Sequence, residues 1–216
     1  MKSDGASPLH QTAKMSDKDE VLTSKPIEGA SRTGRWVQLV PVTVQSVEFL
    51  YALAIDEKNG FRWRLNGTVP TIEAFHESLW LGVLAQFLVV ERSSGNLIGT
   101  VAAYQADLNG GHAYIAASMS DGVSDTGIGI EAVLVFVNFL FATWRLRKLY
   151  LDIPEFNLDQ IGSGLGSILH EEGRLVGHTY YGGRFWDRVT LAIYHEEVKL
   201  LENGGRIPRM KGRADQ

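Results

Sequence analysis

From Ile128 to Ala142 every residue is apolar except Gly129, Glu131 and Asn138. The run is shorter than the ~20 residues a bilayer crossing needs, and a carboxylate and an amide sit inside it. It predicts a helix from Gly127 to Trp144 buried in protein on several sides, which a chain satisfies only by packing other layers against it. With 216 residues and 44% hydrophobic content, the chain is long and apolar enough to supply those layers within one domain. Burial on so many sides is also compatible with a homodimer.

Residues 1–34 hold five basic and five acidic side chains and no aromatic residue, too little apolar surface to offset chain entropy, and are expected to form a flexible leader. Residues 35–201 are expected to form the single domain, and 202–216, with Arg206, Arg209, Lys211 and Arg213, a basic tail. Within the domain, Val37 to Val42 alternates as a first strand and Val44 to Ile55 repeats its apolar residues at helical spacing. A loop with Asn59-Gly60 and Asn66-Gly67 leads to a second short helix starting near Thr71. Phe87 to Glu91, Leu97 to Gln105 and Ala113 to Met119 read as strands of an antiparallel meander, because short turns join them. After the apolar helix come a strand from Lys148 to Ile153, a glycine-rich helix from Asn157 to His170, and a hairpin of His178 to Tyr181 and Arg184 to Tyr194. The expected fold class is α/β with an α+β mixed sheet: strand, two helices, three-strand meander, helix, strand, helix, hairpin.

Composition removes several functions. Lys plus Arg number 21 against 25 Asp plus Glu, a net charge of −4, so the cationic excess that nucleic-acid binding needs is missing. With no cysteine there is no thiol nucleophile, disulfide or thiolate zinc site. The amino end has no apolar stretch of the kind a secretory signal carries, and a cytoplasmic location is expected. The signatures of P-loop hydrolysis, zinc proteolysis and serine hydrolysis are not found. His170-Glu171-Glu172 and His195-Glu196-Glu197 read as charged ends of elements, so no metal is expected.

Gly127-Ile128-Gly129-Ile130-Glu131-Ala132 opens the apolar helix, and glycines at a helix start let a ligand approach the backbone while amide hydrogens point at an anion. Three readings are open. The segment satisfies G-x-G-x-x-A, with Asp152 placed where a dinucleotide site carries its ribose-binding acid, although a polar loop rather than a strand runs into the first glycine. The glycines also suit a tight turn and close helix packing alone. In the third reading they cradle a pyrophosphate.

The stretch Met119 to Ala132, Asn157, Glu171-Glu172-Gly173-Arg174-Leu175 and Gly183-Arg184-Phe185-Trp186-Asp187 resemble the GCN5-related N-acetyltransferases, and among them the branch of the ribosomal-protein N-terminal acetyltransferases. The likeness covers most of Val37 to Val198. It implies acetyl-CoA, or another acyl-CoA, as cofactor, with Ser120, Ser124, Thr126, Gly127, Ile128, Gly129, Ile130 and Asn157 as its contacts. This chain departs from the family loop at Ser124, where Gln or Arg is usual, and at Asp121, where Pro is usual. No cation stands between Gln105 and Arg145, so backbone amides and the hydroxyls of Ser124 and Thr126 are left to hold the phosphates. A further departure is Gly164, at a position where many members carry a tyrosine acid.

Acyl transfer from a thioester to an amine needs a neutral nucleophile, a donor for the oxyanion and a proton for the departing thiolate. The family places the oxyanion donor at the end of the third meander strand, which here is the backbone amide of Met119. Candidate groups for proton handling are Tyr104, Asp152 and Glu155, with His112 beside a Gly-Gly turn reading as a surface residue. For acceptor binding, Phe61, Trp63 and Arg64 alternate aromatic and cationic side chains, and Tyr180 and Trp186 of the closing hairpin supply an opposite wall. These aromatics fit core packing or a dimer contact equally well. The function expected is N-acylation of a primary amine of a protein terminus, peptide or small molecule by direct transfer, without nucleic acid or membrane as partner. The alternative is a non-catalytic module of the same fold that binds CoA or another ligand.

Overall fold

The structure is a computed structural model that describes residues 31–57, 65–123, 127–158, 161 and 168–202. Seven strands form one sheet in the order β1-β2-β3-β4-β5-β7-β6. The first four, β1 (Val37–Pro41), β2 (Val83–Glu91), β3 (Leu97–Asp107) and β4 (His112–Met119), pair antiparallel as consecutive neighbours. β4 and β5 (Lys148–Pro154) are parallel, and β5 then pairs antiparallel with β7 (Arg184–Tyr194), which carries β6 (His170–Tyr181) at the edge. Only a long crossover can return a chain to a parallel neighbour, and here that crossover is the apolar helix. A sheet with one parallel pair is mixed rather than doubly wound, which removes the setting that the dinucleotide reading requires.

Helices α1 (Val47–Ile55) and α2 (Ile72–Ser78) lie on one face of the sheet and α3 (Ile128–Thr143) on the other. α3 buries Ala132, Phe136, Val137, Leu140 and Phe141 against Val101, Ala103, Ala113, Ile115, Leu149, Leu151, Val189, Leu191 and Ile193. Val133, Leu134, Val135 and Phe139 are half-buried around the same core, so the helix is covered on more than one side. On the opposite face Leu50, Ala54, Phe75 and Leu79 pack on Leu88. Thr71 caps α2 by accepting the Ala74 amide at 3.3 Å, and the Tyr51 hydroxyl ties α1 to the following loop through the Pro70 carbonyl at 2.7 Å. The Thr71 cap is the local signal that fixes where α2 starts.

Four elements differ from expectation. β2 begins at Val83 rather than Phe87, because helices on both faces of the sheet favour a near-continuous apolar strand over clean alternation. The first arm of the hairpin is not the short His178 to Tyr181 but a strand from His170, whose polar residues are tolerated because most of the strand is exposed at the sheet edge. Asn157 closes a 3-10 turn over Glu155–Asn157, Leu158 and Ile161 are helical, and His170 already belongs to β6, so the glycine-rich helix is shorter than expected at both ends. Its middle, 159–160 and 162–167, lies outside the described residues. Finally, α4 (His195–Glu202) follows β7 where only a charged element end was expected. It is held by the stacking of His195 on Phe141, with centroids 4.5 Å apart, by buried Val198, and by the bond between Glu197 and His170 at 2.8 Å. No helix among the described residues is long and apolar enough to cross a membrane.

Candidate functional site

The parallel ladder of β4 and β5 pairs only His112, Ala113 and Tyr114 with Lys148, Leu149 and Tyr150. Both strands then continue, β4 to Met119 and β5 to Pro154, with no further pairing between them. The sheet is thus split by a wedge that opens toward the carboxyl ends of its parallel pair, where open sheets of this kind receive ligands. The Ser120 amide donates to the Ile98 carbonyl at 2.8 Å. In that register the even-numbered residues of β4 direct their backbone groups to β3, and Ile115, Ala117 and Met119 direct theirs to the β5 side. The Met119 amide, the expected oxyanion donor, therefore faces the wedge.

The start of α3 stands at the same end. Gly127 has φ of +76°, the left-handed region that favours glycine, and is exposed. The first intrahelical bond runs from the Glu131 amide to the Gly127 carbonyl at 3.1 Å, so the amides of Gly129 and Ile130 precede any acceptor the helix itself provides. Gly129 lies against Met119, whose Cγ would be 3.4 Å from an added Cβ. Met119 and the first turn of α3 are thereby in contact. Glu131, whose charge would oppose an anion here, is turned to structural use: its carboxylate accepts the backbone amides of Arg35, Trp36 and Val37 at 2.6, 2.8 and 3.1 Å. Gly34 is glycine for the same reason, since a Cβ there would stand 2.8 Å from the Glu131 Cδ.

Of the other expected cofactor contacts, Ser120 and Ile128 are half-buried on either side of the loop, and Ser124 and Thr126 lie outside the described residues. Asn157, in the turn after β5, is buried, and its Oδ1 has no hydrogen-bond partner. A buried amide oxygen left unmatched beside an open wedge is the observation that a polar ligand would explain. The wedge, the α3 amides and Asn157 fit a CoA-like molecule: an extended amide-bearing arm between the strands and its phosphates at the helix start.

The expected proton-handling residues divide. Tyr104 and Asp152 share the sheet face opposite α3. Burial, foremost, and then the Asp152 carboxylate push the Tyr104 phenol above its ordinary value, with Arg188 pulling the other way. Asp152 itself accepts Arg188 Nε–H at 2.7 Å and the Thr190 hydroxyl at 3.2 Å. Glu155 lies in the turn beyond β5 and is bound by Arg174 at 2.8 Å. That guanidinium also holds Glu171 at 2.9 Å and Asp187 at 3.2 Å. His112 is half-buried, its ring edge-on to Tyr150 at 5.5 Å. Arg188, Thr190 and Arg174 were not expected here, because Arg188 and Thr190 reach Asp152 only through the pairing of β7 with β5, and Arg174 reaches Glu155 only through that of β6 with β7.

Phe61, Trp63 and Arg64 lie outside the described residues. Tyr180 is exposed and packs on Phe185 with centroids 5.0 Å apart. Trp186 is half-buried, donates its indole N–H to the Tyr181 carbonyl at 3.1 Å, and is covered by Arg184, whose Cζ is 3.3 Å from the ring centroid. Phe156, in the turn after β5, stacks on Tyr181 and meets Trp186 edge-on. Tyr181 and Trp186 thus meet the turn that ends β5, whereas Tyr180 and Phe185, one register step away, lie on the other face of the hairpin, so the expected single wall of Tyr180 and Trp186 is not formed. Among the described residues no cluster of His, Asp and Glu is arranged to hold a metal ion.

No family model matches the sequence, and no curated protein does. Solved structures do. A spermidine N-acetyltransferase from Vibrio cholerae in complex with CoA and spermine superposes with a TM-score of 0.68 at 17% identity, covering 77% of this chain and 99% of its own. The chain has the GCN5-related acyl-CoA N-acyltransferase fold. A spermidine/spermine N-acetyltransferase from Vibrio cholerae in complex with manganese ions gives a TM-score of 0.62 at 17% identity over 78% of this chain and 96% of that one. A dodecameric form in an intermediate state gives 0.63 at 17% identity, over 76% and 96%. At this identity the likeness is one of acyltransferase fold.

Proposed function

We propose that this chain is an acyl-CoA-dependent N-acyltransferase that moves an acyl group, acetyl first among them, directly onto a primary amine. The observation that carries the reading is the early end of the β4–β5 ladder at Tyr114–Tyr150, with the start of α3 standing at the open end. CoA, when bound, supplies the acyl group as a thioester: its carbon–sulfur bond breaks, a carbon–nitrogen bond forms, the amine loses a proton and CoA leaves as the thiol.

The amides at the start of α3, together with Ser120, Ser124 and Thr126, would hold phosphate oxygens, the helix dipole adding to their pull. Asn157 would bind an amide of the extended arm. The Met119 amide would donate to the carbonyl oxygen of the acyl group as negative charge gathers there. Asp152 would take up the proton that the amine releases, directly or through water, and Tyr104, neutral because burial disfavours its phenolate, would donate its hydroxyl proton toward the departing thiolate. Glu155, held by Arg174, would fix the hairpin that carries Trp186 to the acceptor side, with Phe61, Trp63 and Arg64 opposite. The neighbours whose names state polyamine acetylation, one of them holding CoA and spermine, support a primary amine as acceptor. The sequence blocks on β6 and at the hairpin support a finer place in the branch of ribosomal-protein N-terminal acetyltransferases. A cytoplasmic, self-associating protein goes with this reading, as does a single catalytic domain over 35–201.

Calorimetric titration with acetyl-CoA, followed by a thiol-release assay over a panel of amines, tests it. Saturable donor binding and amine-dependent thiol release are expected. Donor binding without release by any amine would leave only a binding module.

A further inference from the structure

Two arginines stand near the end of β5, where β4 has parted from it, and they are engaged differently. Arg174 lies opposite Val189, which is buried under α3, and so projects on the α3 face. Its Nε, Nη1 and Nη2 all have carboxylate partners, in Glu171, Glu155 and Asp187. Arg188 and Thr190 alternate with Val189 and Leu191 of that core, and therefore project from the opposite face, beside Asp152. Arg188 gives only its Nε–H, to Asp152 at 2.7 Å. Among the described residues neither of its Nη groups has a partner, and the side chain stays 31% exposed. The Asp152 side chain is 25% exposed. Each of its oxygens has accepted one bond, from Arg188 or from the Thr190 hydroxyl, and keeps a further lone pair. The ion pair is thus open at both ends.

We infer that Asp152 and Arg188 together form the acceptor subsite for a free α-amino acid with an apolar side chain. The inference rests on the acyltransferase reading. An open ion pair is complementary to a second one of reversed order. The ammonium of a zwitterion takes the remaining lone pairs of Asp152, and its carboxylate takes two parallel bonds from the planar Nη fork, a match that lysine could not make. A ligand with an ammonium alone closes no such ring, since the charge of Asp152 is already met by Arg188. Leu175, directly opposite Arg188 on β6 and 53% exposed, puts apolar surface beside the fork for the side chain of the amino acid. The amine loses one proton to Asp152 before attack. It loses a second after the carbon–nitrogen bond has formed and the carbon–sulfur bond has broken, which restores to Tyr104 the proton given to the thiolate. The products are an N-acyl amino acid and the free thiol.

The test measures binding of L-leucine, L-leucinamide and spermidine to the full chain by calorimetry with CoA present, and the KM of each with acetyl-CoA. Leucinamide keeps the amine and the side chain and lacks only the carboxylate. The wild type is expected to bind leucine at least tenfold more tightly than leucinamide or spermidine, the weight of charge-assisted bonds to a carboxylate. In Arg188→Gln the preference for leucine over leucinamide should fall to within about twofold. That ratio is taken within one protein, so a general effect on Asp152 or on the fold cancels from it. Arg188→Lys, which keeps the charge without the fork, should retain only part of the preference and serves should glutamine not be tolerated. A wild type that binds leucine and leucinamide alike or prefers spermidine, or variants that keep the full preference, overturns the assignment while donor binding still stands. A wild type that does not bind acetyl-CoA overturns the acyltransferase reading itself, and the donor titration tells the two failures apart.

Discussion

Arg188 on β7 donates its Nε–H to Asp152 on β5 at 2.7 Å, so a carboxylate on the sheet face opposite α3 is matched by a cation on the neighbouring strand. Both groups act on Tyr104 in opposite directions. After burial, which is the largest cause, Asp152 raises the phenol and Arg188 lowers it.

Asp152→Asn is therefore expected to lower the pH at which Tyr104 ionises, and Arg188→Met to raise it, as followed by ultraviolet difference titration. Shifts of the same sign in both variants would show that the phenol does not feel the pair. If Asp152 takes the amine proton, Asp152→Asn should also reduce kcat by ~10²-fold or more while leaving the donor affinity unchanged.

Glu131→Ala removes the acceptor of three backbone amides, those of Arg35, Trp36 and Val37. The segment is partly exposed, so water recovers some of the loss, and the expected destabilisation is about 1–3 kcal/mol. For a chain of this size each kcal/mol lowers Tm by roughly 2–4 °C. Glu131→Gln, which retains one oxygen, should fall between. Differential scanning calorimetry that found both variants at the wild-type Tm would remove Glu131 from any part in anchoring β1.

Lys148, Glu172, Tyr150 and Tyr194 form a cluster beneath the β5–β7 pair. Lys148 bonds Glu172 at 2.6 Å, the Tyr150 hydroxyl bonds the same carboxylate at 2.9 Å, and so does the Tyr194 hydroxyl. Burial pushes Glu172 up, but the bonds from Lys148, Tyr194 and Tyr150 outweigh it and hold the carboxyl below its ordinary value. Burial pushes Lys148 down, and its bonds to Glu172 and Tyr150 outweigh that in turn. The depressed carboxyl contributes stability that is present above the ordinary glutamate range of ~4.3 and is lost as pH falls through its folded value. The raised ammonium contributes stability that is complete below the ordinary lysine range of ~10.4 and is lost as pH rises through its folded value. A plot of Tm against pH should lose part of its acid limb in Glu172→Gln and part of its alkaline limb in Lys148→Met. Parallel curves for wild type and variants would be the contrary result.

Gly129→Trp places an indole where Gly129 meets Met119 at the head of α3. Donor affinity measured by calorimetry should fall at least tenfold, with the far-ultraviolet circular dichroism unchanged. Equal affinity would mean that the phosphates sit elsewhere.

Much of this architecture could be read from local pattern. Thr71 announces α2, the short turns of the meander announce antiparallel neighbours, and the strongly apolar run to Ala142 announces a buried crossover helix that makes β4 and β5 parallel. The start of that helix was legible too, since Gly127 takes the left-handed φ of +76° that favours glycine and Gly129 lies against Met119. β6 was less so: an edge strand exposed on most of its length carries no apolar alternation, and Glu171-Glu172-Gly173-Arg174 gives no hint of strand. α4 escaped because a two-turn amphipathic segment has too few residues to establish a period.

The sequence by itself determined which segments could be buried, where α2 and α3 begin, and that two small residues open the most apolar of the helices. Those properties depend on neighbours in the chain. Only the tertiary structure decided that β4 and β5 part after Tyr114 and that Arg188 faces Asp152. Strand register sets both, and register is a sum over contacts between residues far apart in the chain, which no single segment encodes.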